Sequence, residues 1–575
     1  MNTFTTPDVL QLRERTGEPE ATQALLRLYK SLPPVAEPTW ANLDAIWTFA
    51  LGSPQEELNV TADRIPEKRE VVTLPQRTLH PDTPYWYVTE VSFSEPTVLA
   101  IDADDGAQVF ANSQRIPVQG DYFFLPASPA NTKTRLIVRV LNKAAYGGLE
   151  EVRMTSQVNF ERYQQATEKR RRVTVLVKKT RLLCAPTKVQ LAAVEKAVAE
   201  ADTEDALQAA EKVLAELPLT LIGPYLQDAS SDQMTIVWET DVPCTGTLEW
   251  GLEGEPGQQA QAKSEGNLHS ATLTGLKPGT MYRYRARSGD VIGPEYSFRT
   301  LPTSGAFAFT AWGDSQVNAR TNNNRDVFRQ NVSAMACRAM AFSVGVGDLV
   351  EQGHHQEPWQ VFFEALAPLA TDTPVMLIGG NHDYDGCFED LHSVFFERYA
   401  RSKPKSQYYA WTASNARFVA LDPNEHFPTG IPAGSEQHRW LMQELESEAW
   451  RAATWRFLFI HQPPFSQGWL DYQGDLPIRA LLEPLMEKHG IDFVVSGHTH
   501  DYERWTRTYG NQTVHYLILG GAGGGLEGRE MSPEPVMDKV IRRHHFGLFQ
   551  VDGRKVTFEA IATDTRVLDS LEVSR

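Results

Sequence analysis

From about residue 306 onward the chain contains a series of short, continuous apolar runs, and these runs constrain the fold more than any other feature. They are AFAFTAW, AMAFSVGVG, PVMLIGG, ARFVAL, WRFLFIH, DFVVSG and VHYLILGG. Strands buried on both faces of a sheet have this uninterrupted pattern, whereas half-exposed strands alternate apolar and polar residues. Because stretches of helical character separate the runs, this part of the sequence predicts an α/β layer architecture.

Polar residues with metal-binding side chains follow nearly every one of these runs. They are Gly313-Asp314-Ser315-Gln316, Gly347-Asp348, Gly380-Asn381-His382-Asp383, His461 and Gly497-His498-Thr499-His500. In open α/β sheets, ligands bind beyond the carboxyl ends of the strands. We therefore expect these residues, which are far apart in sequence, to converge at one site.

The donor set of this site indicates two metal ions. It contains oxygen and imidazole donors and no thiolate, which suits Mn, Fe, Zn or Mg. Asp314 and Gln316 are two residues apart, as are His498 and His500, so each pair leaves an extended segment from one face. Two such pairs and Asp348 exceed what one tetrahedral site uses. Two ions, identical or a mixed pair, can activate a water and clamp the oxygens of a transferred phosphoryl group.

The ordered series GDS, GDLVEQG, GNHDY, FIHQPP and GHTHDYER strongly resembles the calcineurin-like metallophosphoesterase superfamily. The segments HTHDYERW, LILGGAGGGLEG and HHFGLFQVDGRKVTFEAIATDTRVLDS resemble its purple acid phosphatase branch. Further upstream, GPYLQ, LKPGTMYRYR and FRT resemble the fibronectin type III-like N-terminal domain of that branch. The resemblance covers about residues 220–575. It implies a four-layer sandwich of mixed sheets flanked by helices, preceded by a fibronectin-like β-sandwich.

The resemblance also implies roles for individual residues. It places Asp314 and His500 on a first metal, Asn381, His461 and His498 on a second, and Asp348 between them. It implies hydrolysis of phosphate monoesters by in-line attack of a hydroxide that the metals hold. His382 is then the group that protonates the leaving alkoxide, with Asp383 orienting its ring.

Three positions depart from the family pattern. Glu351 stands where the branch has a tyrosinate ligand, so a purple colour is not expected. Gln316 stands where many members have a histidine, and its amide oxygen would favour Mn, Fe(II) or Mg over Zn at the first metal. The segment QPPFSQGWLDYQGD lacks the histidines of plant enzymes. Groups that contact the substrate must therefore differ, and His354 and His355, just past GDLVEQG, are candidates.

Two other functions stay open at this point. The same site would serve a phosphodiesterase or nucleotide hydrolase. Alternatively, the chain is a binding or adhesion protein whose phosphatase-like domain is a degenerate scaffold. Because no metal-ligand position carries an inert residue, the enzyme is the favoured interpretation.

The sequence divides into five segments. We expect a helical segment over residues 1–80, a jelly-roll-like β-sandwich over 81–155, a helical hairpin or linker over 156–217, the fibronectin-like domain over 218–302 and the catalytic domain over 303–575. The jelly-roll-like module resembles sugar-binding accessory modules of many enzymes, so carbohydrate is a candidate partner for it.

Charge and cysteine content restrict the partners and the compartment. With 55 Lys and Arg against 73 Asp and Glu, the net charge is −18, which disfavours nucleic acid. A small phosphate ester remains compatible, because a metal pair recruits it locally. Four cysteines without a CxxC pair indicate neither a disulfide framework nor a thiolate zinc site. We find no membrane span and no signal peptide, so we expect a cytoplasmic chain as given, or an exported one if a signal was removed. The oligomeric state stays open.

Overall fold

A computed structural model describes residues 17–53, 60–80, 83–103, 106–142, 146–181, 186–200, 203–255, 257–318, 323–384, 393–402, 407–426 and 429–575. Among these residues, no helix combines the length and the apolar character that a membrane crossing requires. Cys244 and Cys337 are free thiols, while Cys184 and Cys387 lie outside the described residues.

The first module is a β-sandwich that begins earlier than the sequence indicated. Its strands are β1 (Ala41–Asn42), β2 (Trp47–Leu51), β3 (Glu70–Val72), β4 (Gln76–Leu79), β5 (Thr83–Val91), β6 (Thr97–Ala103), β7 (Ala107–Ala111), β8 (Gln114–Ile116), β9 (Val118–Gln119), β10 (Tyr122–Leu125), β11 (Thr134–Asn142) and β12 (Tyr146–Ser156). One sheet has the order β1-β12-β6-β10-β9, with β4 also paired to β12, and the other has the order β3-β2-β5-β11-β7-β8.

A helical segment over residues 1–80 is predicted, but among the residues described there the structure has one α-helix, Glu20–Ser31 (α1), and a 3₁₀ turn, Ala62–Arg64, while strands β1–β4 contradict the prediction from Ala41 onward. β2 pairs with β5, and Trp47 and Phe49 are buried in the same core as Tyr85 and Tyr87. In the strand WTFAL, Trp47, Phe49 and Ala50 are buried and Leu51 is exposed, and the two aromatic rings fill space between the two sheets.

Three helices follow the sandwich, where a hairpin would have two. They are α2 (Gln157–Arg181), α3 (Lys188–Glu200) and α4 (Thr203–Leu214). Their apolar stripes bury Val173, Val194 and Leu207 in one cluster with Leu25 of α1. Helix α2 carries a basic run, Lys169-Arg170-Arg171-Arg172. Its last residue, Arg172, donates hydrogen bonds to the carboxylates of Glu204 and Glu211 on α4.

The next module is a sandwich of two four-stranded sheets. Its strands are β13 (Thr220–Gln227), β14 (Gln233–Thr240), β15 (Gly246–Gly251), β16 (Gln258–Gln261), β17 (Lys263–Glu265), β18 (Leu268–Thr274), β19 (Met281–Ser288) and β20 (Val291–Arg299). The sheet orders are β13-β14-β18-β17 and β16-β15-β19-β20, with antiparallel pairs throughout. This is the architecture that the fibronectin-like pattern predicts.

The C-terminal domain has two sheets face to face with helices outside. Its strands are β21 (Phe307–Trp312), β22 (Phe342–Val346), β23 (Val375–Ile378), β24 (Tyr409–Ala413), β25 (Ala416–Leu421), β26 (Trp455–Ile460), β27 (Phe493–Ser496), β28 (Tyr502–Tyr509), β29 (Gln512–Leu519), β30 (Lys539–Ile541), β31 (His545–Asp552), β32 (Lys555–Ala562) and β33 (Val567–Ser574). Its helices are α5 (Asn323–Ala336), α6 (Gln356–Ala370), α7 (Val394–Tyr399), α8 (Glu436–Glu444), α9 (Glu448–Ala452) and α10 (Leu476–His489).

Aromatic side chains join the two sheets. The sheet orders are β23-β22-β21-β31-β32-β33 and β24-β25-β26-β27-β29-β28-β30. Phe309 of the first sheet packs edge-on against Phe418 and Phe457 of the second. Helices α5 and α6 cover the outer face of the first sheet, while α8 and α10 cover that of the second. The predicted four-layer arrangement is confirmed.

A buried carboxylate fastens the fibronectin-like sandwich to the catalytic domain. Glu239 of β14 is fully buried and accepts hydrogen bonds from Arg398 (2.6 Å), the Tyr399 hydroxyl (2.8 Å) and Gln356 Nε2 (3.2 Å). Because the carboxylate has no water to solvate it, its charge depends on these donors.

We predict that Arg398→Ala destabilises the protein by about 3 kcal/mol, because it leaves the Glu239 charge buried without its cation. Urea unfolding, followed by the shift in midpoint, checks this. The control is Lys488→Ala, which breaks an exposed pair with Glu446 and should change stability by less than about 1 kcal/mol. Equal effects of the two variants would contradict the role of the buried junction.

Candidate metal centre

The candidate ligands lie where neighbouring parallel strands end. β21, β22 and β23 run parallel in the first sheet, and β26 and β27 run parallel in the second. Asp314, Asp348 and Asn381 follow the three strands of the first sheet; His461 and His498 follow the two of the second. The expected convergence is observed, and the site lies across the carboxyl edges of both sheets.

The backbone at this site is held in an unusual conformation. Asp314, Gln316, Asp348 and His498 have φ values of +60°, +38°, +50° and +76°. Residues other than glycine rarely adopt the left-handed region, and such strain gathers at functional sites. The positive φ values turn the chain sharply after each strand, so that the side chains face the gap between the two sheet edges.

Glycines allow the loops to come this close. Gly347 has a φ of +86°, and a Cβ there would collide with the ring of His461. A Cβ at Gly380 would collide with the amide nitrogen and the carboxylate of Asp348. A larger residue at either position would therefore displace a candidate ligand.

One group of candidate ligands consists of Asp348, His461 and His498, whose donor atoms lie within 4.8 Å of one another. His461 Nδ1 donates to the carbonyl of Val346 (2.8 Å), so Nε2 points into the site, 3.2 Å from Asp348 Oδ2. Asn381 Oδ1 lies 3.0 Å from His498 Nδ1. All four of these side chains are buried.

A second group consists of Asp314, Asp348 and His500, again with donor atoms within 4.8 Å of one another. His500 Nδ1 donates to the carbonyl of Gly525 (2.7 Å), and Nε2 lies 3.6 Å from Asp314 Oδ1. Asp348 belongs to both groups, so its carboxylate stands between them.

Gln316 lies beside the second group. Its Oε1 and the Cε1 of His500 both border the space above Gly524, and its backbone nitrogen donates to the carbonyl of Asp348 (2.9 Å). The side chain is buried. The Gln316 side-chain amide therefore lies at the edge of the cluster, near the position at which we expect it to act as a neutral oxygen donor.

Burial and mutual charge set the protonation of the cluster. Burial raises the pKa of Asp314 to about 7, and burial together with the charge of His461 holds the pKa of His498 well below its ordinary value. For Asp348, burial opposes ionisation, but the charges of His461 and His382 outweigh it and lower the pKa. Asp348, acting against burial, raises the pKa of His461 to about 9, so metal binding requires this imidazole to lose its proton.

The residues present fit metal ions. Nε2 of His461 is buried and has no hydrogen-bond partner within the part of the chain that the structure describes, and its neighbour at 3.2 Å is the candidate ligand Asp348. Buried polar atoms normally have such a partner. In His461 the other ring nitrogen donates to the carbonyl of Val346, an arrangement that fixes ring orientation in metal sites. Nδ1 of His498 and Oδ1 of Asn381 lie 3.0 Å apart, so these two atoms face one point.

His382 lies half-buried at the mouth of the cluster. Its backbone nitrogen donates to Asp348 Oδ1 (2.9 Å), and its Nδ1 donates to the carbonyl of Glu351 (3.0 Å). The ring is thus oriented by the loop that follows Asp348.

The prediction that Asp383 orients the His382 ring is wrong. The Asp383 carboxylate accepts instead from the backbone nitrogens of Leu349 (3.0 Å), Val350 (3.2 Å) and Gly380 (2.9 Å). Successive residues of a 3₁₀ turn, here His382–Tyr384, point in different directions, so Asp383 faces inward while His382 faces the site. Asp383 therefore positions the loops after β22 and β23.

His354 and His355, the candidates for substrate contact, are directed elsewhere. Their Nε2 atoms lie 2.6 and 2.7 Å from Oδ1 of Asp121 in the N-terminal sandwich. No local sequence pattern predicts this contact, because Asp121 is more than 230 residues away.

Two aromatic residues that the sequence interpretation passed over line the cluster. The rings of Trp469 and Tyr472 pack against His498, with centroids 4.9 and 5.6 Å away. They belong to the segment that lacks the plant histidines. Glu503 holds this segment by accepting from Ser466, Gln467 and Gly468. In the sequence, the one indication of this role is that Trp469 and Tyr472 follow closely after HQPP.

Comparison with known families agrees with the fold. Residues 312–502 match the calcineurin-like phosphoesterase family, and residues 222–300 match the purple acid phosphatase N-terminal domain. Both matches fall on the modules that carry the corresponding sheets.

The relatives of this chain are named purple acid phosphatases. The chain is 25% identical over 370 residues to the probable purple acid phosphatase 20 of Arabidopsis thaliana, covering 58% of this chain and 79% of that protein. It is 27% identical over 350 residues to purple acid phosphatase 18 of the same plant, covering 56% and 76%. A third Arabidopsis relative, 23% identical over 444 residues, is named probable inactive purple acid phosphatase 1; 63% of this chain and 71% of that protein are covered.

A solved structure shares the fold. The purple acid phosphatase PPD1 from yellow lupin (Lupinus luteus) seeds superposes with a TM-score of 0.54 at 16% identity, covering 86% of this chain and 93% of that one. The chain therefore contains a calcineurin-like phosphoesterase domain at residues 312–502, preceded by a purple acid phosphatase N-terminal domain at residues 222–300, and its relatives are named purple acid phosphatases.

Proposed function

We propose that this enzyme hydrolyses phosphate monoesters at a dinuclear metal centre. The observation that carries the proposal is that the Asp348 carboxylate belongs to two separate groups of candidate ligands. His461, His498 and Asn381 would hold one ion, and Asp314, His500 and Gln316 the other. When bound, two such ions supply an activated water and clamp the phosphate oxygens during an in-line displacement.

The protein's own residues prepare the site for this chemistry. The backbone nitrogen of His498 donates to both oxygens of Asp314 (2.9 and 3.0 Å), which fixes the carboxylate before any ligand arrives. Trp469 and Tyr472 exclude water from the His498 side of the cluster. The site is thus arranged before substrate binds, and this saves reorganisation during the reaction.

His382 is the proposed general acid. Because its Nδ1 donates to the Glu351 carbonyl, its protonated Nε2 is the nitrogen that can deliver a proton to the leaving oxygen. The half-buried position at the mouth of the cluster suits a group that meets the alcohol part of the ester.

The relatives are named phosphatases, and the substrate class proposed here is the phosphate monoester. A phosphodiesterase uses the same ligands and differs in the room left for a second ester group. One relative is named inactive. A degenerate scaffold would lack some of the metal ligands, whereas this chain has a donor side chain at each candidate position.

The first test is metal content together with turnover. We expect about two metal ions per wild-type chain and faster hydrolysis of an aryl monoester than of the matching diester. In Asp348→Asn the neutral amide cannot bridge two cations, so we expect lost metal and more than a hundredfold lower turnover, since even outer-shell changes cost about 10–100-fold. His438→Gln on α8 is the control. Wild-type protein with neither metal nor turnover would refute the proposal.

The second test concerns proton delivery. In His382→Ala, hydrolysis of esters with poor alkyl leaving groups should fall about 10²–10⁴-fold, while esters of acidic phenols, which leave without a proton, should change little. Rates across a series of leaving groups check this. An equal loss for all esters would contradict a general-acid role and leave His382 a structural residue.

The third test concerns colour. Since Glu351 offers no phenolate, we predict that iron-loaded protein lacks the visible tyrosinate-to-iron charge-transfer band. An absorption spectrum at measured iron content checks this, with Glu351→Tyr as the comparison in which a band should arise. A band in the wild type would contradict the prediction, and its loss in Tyr472→Phe would then identify the phenolate.

A further inference from the structure

A second cluster of metal-binding side chains lies at the junction between the N-terminal sandwich and the catalytic domain. Asp121 is in the turn between β9 and β10, and His354 and His355 are in the loop before α6. Their donor atoms all lie within 4.8 Å of one another. We call this set the junction cluster.

The geometry of the junction cluster is that of ligands around a shared point. Both histidines direct Nε2 at the same carboxylate oxygen, Oδ1 of Asp121, at 2.6 and 2.7 Å. The two rings lie against each other with centroids 3.9 Å apart. Nε2 of His355 is buried and makes no hydrogen bond of acceptable geometry within the described residues. One oxygen serves two imidazoles poorly, whereas a cation between the three atoms would satisfy all of them.

The histidine loop is held in place independently of Asp121. The nitrogen of Gly353 donates to the carbonyl of His382 (2.9 Å), and Trp359 Nε1 donates to the carbonyl of Gly353 (3.0 Å). Gln356, the first residue of α6, is fixed by Glu239 and Tyr399. The two imidazoles are therefore presented by a rigid loop, as metal sites require.

Asp121 is also preorganised. Gly120 has a φ of +62°, and the turn brings its backbone close to the ring of His355. The side chains of Asp121, His354 and His355 are only 17%, 14% and 24% exposed.

The cluster leaves one side open. It borders a cavity of about 570 Å³ whose wall includes Gln119, Tyr122, Gln157, Glu161 and His355. Two imidazoles, one carboxylate and an open position form the ligand set of zinc sites that keep a solvent ligand.

We propose that Asp121, His354 and His355 form a third metal site, which binds Zn²⁺ and ties the N-terminal sandwich to the catalytic domain. The site is separate from the dinuclear cluster and shares no ligand with it. It connects the sandwich to the loop on which His382 depends, because residues 351–355 carry both Glu351, whose carbonyl orients the His382 ring, and the two histidines. The N-terminal sandwich thereby gains a defined position relative to the active site.

The test is the zinc content of full-length variants. Metal-free protein is dialysed against excess Zn²⁺, freed of unbound metal and analysed for zinc per chain. We expect His355→Gln, His354→Gln and Asp121→Asn each to bind one zinc fewer than the wild type. The control is Glu161→Gln, which changes a carboxylate of the same cavity wall outside the cluster and should keep the wild-type count.

The comparison does not depend on catalysis. If the dinuclear cluster fails to bind metal, the expected change is from one zinc to none, and if it binds, from three to two. His354→Gln and His355→Gln alter one domain and Asp121→Asn the other, so agreement among all three excludes local misfolding as the cause. Equal zinc content in the wild type and the three variants would overturn the proposal and leave a metal-free contact between histidines and carboxylate.

Discussion

The Asp348 carboxylate is the element on which the catalytic half of the structure depends. It is buried between two groups of ligands, at the carboxyl edges of two sheets. A buried negative charge is costly unless cations and hydrogen bonds compensate it. Imidazoles from one sheet, Asp314 and His500, and the backbone nitrogen of His382 all surround this group. The two sheets must therefore meet with their strand ends aligned, and the aromatic layer between them, with Phe309 against Phe418 and Phe457, maintains that alignment.

Many hydrogen bonds around the candidate metal centre orient its side chains and loops. Two histidines of the cluster have one ring nitrogen on a fixed backbone carbonyl, that of Val346 for His461 and that of Gly525 for His500. The carboxylates of Asp383 and Glu503 fix backbone loops, because each accepts hydrogen bonds from several amide nitrogens. Such supporting groups set ligand orientation, and their loss is felt at the metals. This hydrogen-bond network stabilises the left-handed backbone conformation of four residues at the site.

The accessory modules are joined to the catalytic domain by polar contacts with buried partners. Glu239 binds Arg398 and Tyr399 across the fibronectin-like junction, and Asp121 meets His354 and His355 across the N-terminal one. Both junctions lead to the same region, the loop before α6 and helix α7. Among the described residues, these two modules contribute no side chain to the candidate metal centre, although both are joined to the domain that carries it. A role for the N-terminal sandwich in binding carbohydrate stays a prediction.

The sequence by itself determined the layer architecture, the candidate ligands and the resemblance to the calcineurin-like phosphoesterases. Unbroken apolar runs require strands covered on both faces, and polar residues at their ends must meet at one edge of the sheets. These are local properties, read from patterns of a few residues. The start of the first sandwich at Ala41, the turning of Asp383 onto backbone nitrogens and the pairing of Asp121 with two histidines were decided only by the tertiary structure. Strand pairing, side-chain direction in a 3₁₀ turn and contacts between modules depend on residues distant in sequence, and no local pattern encodes which of them will meet.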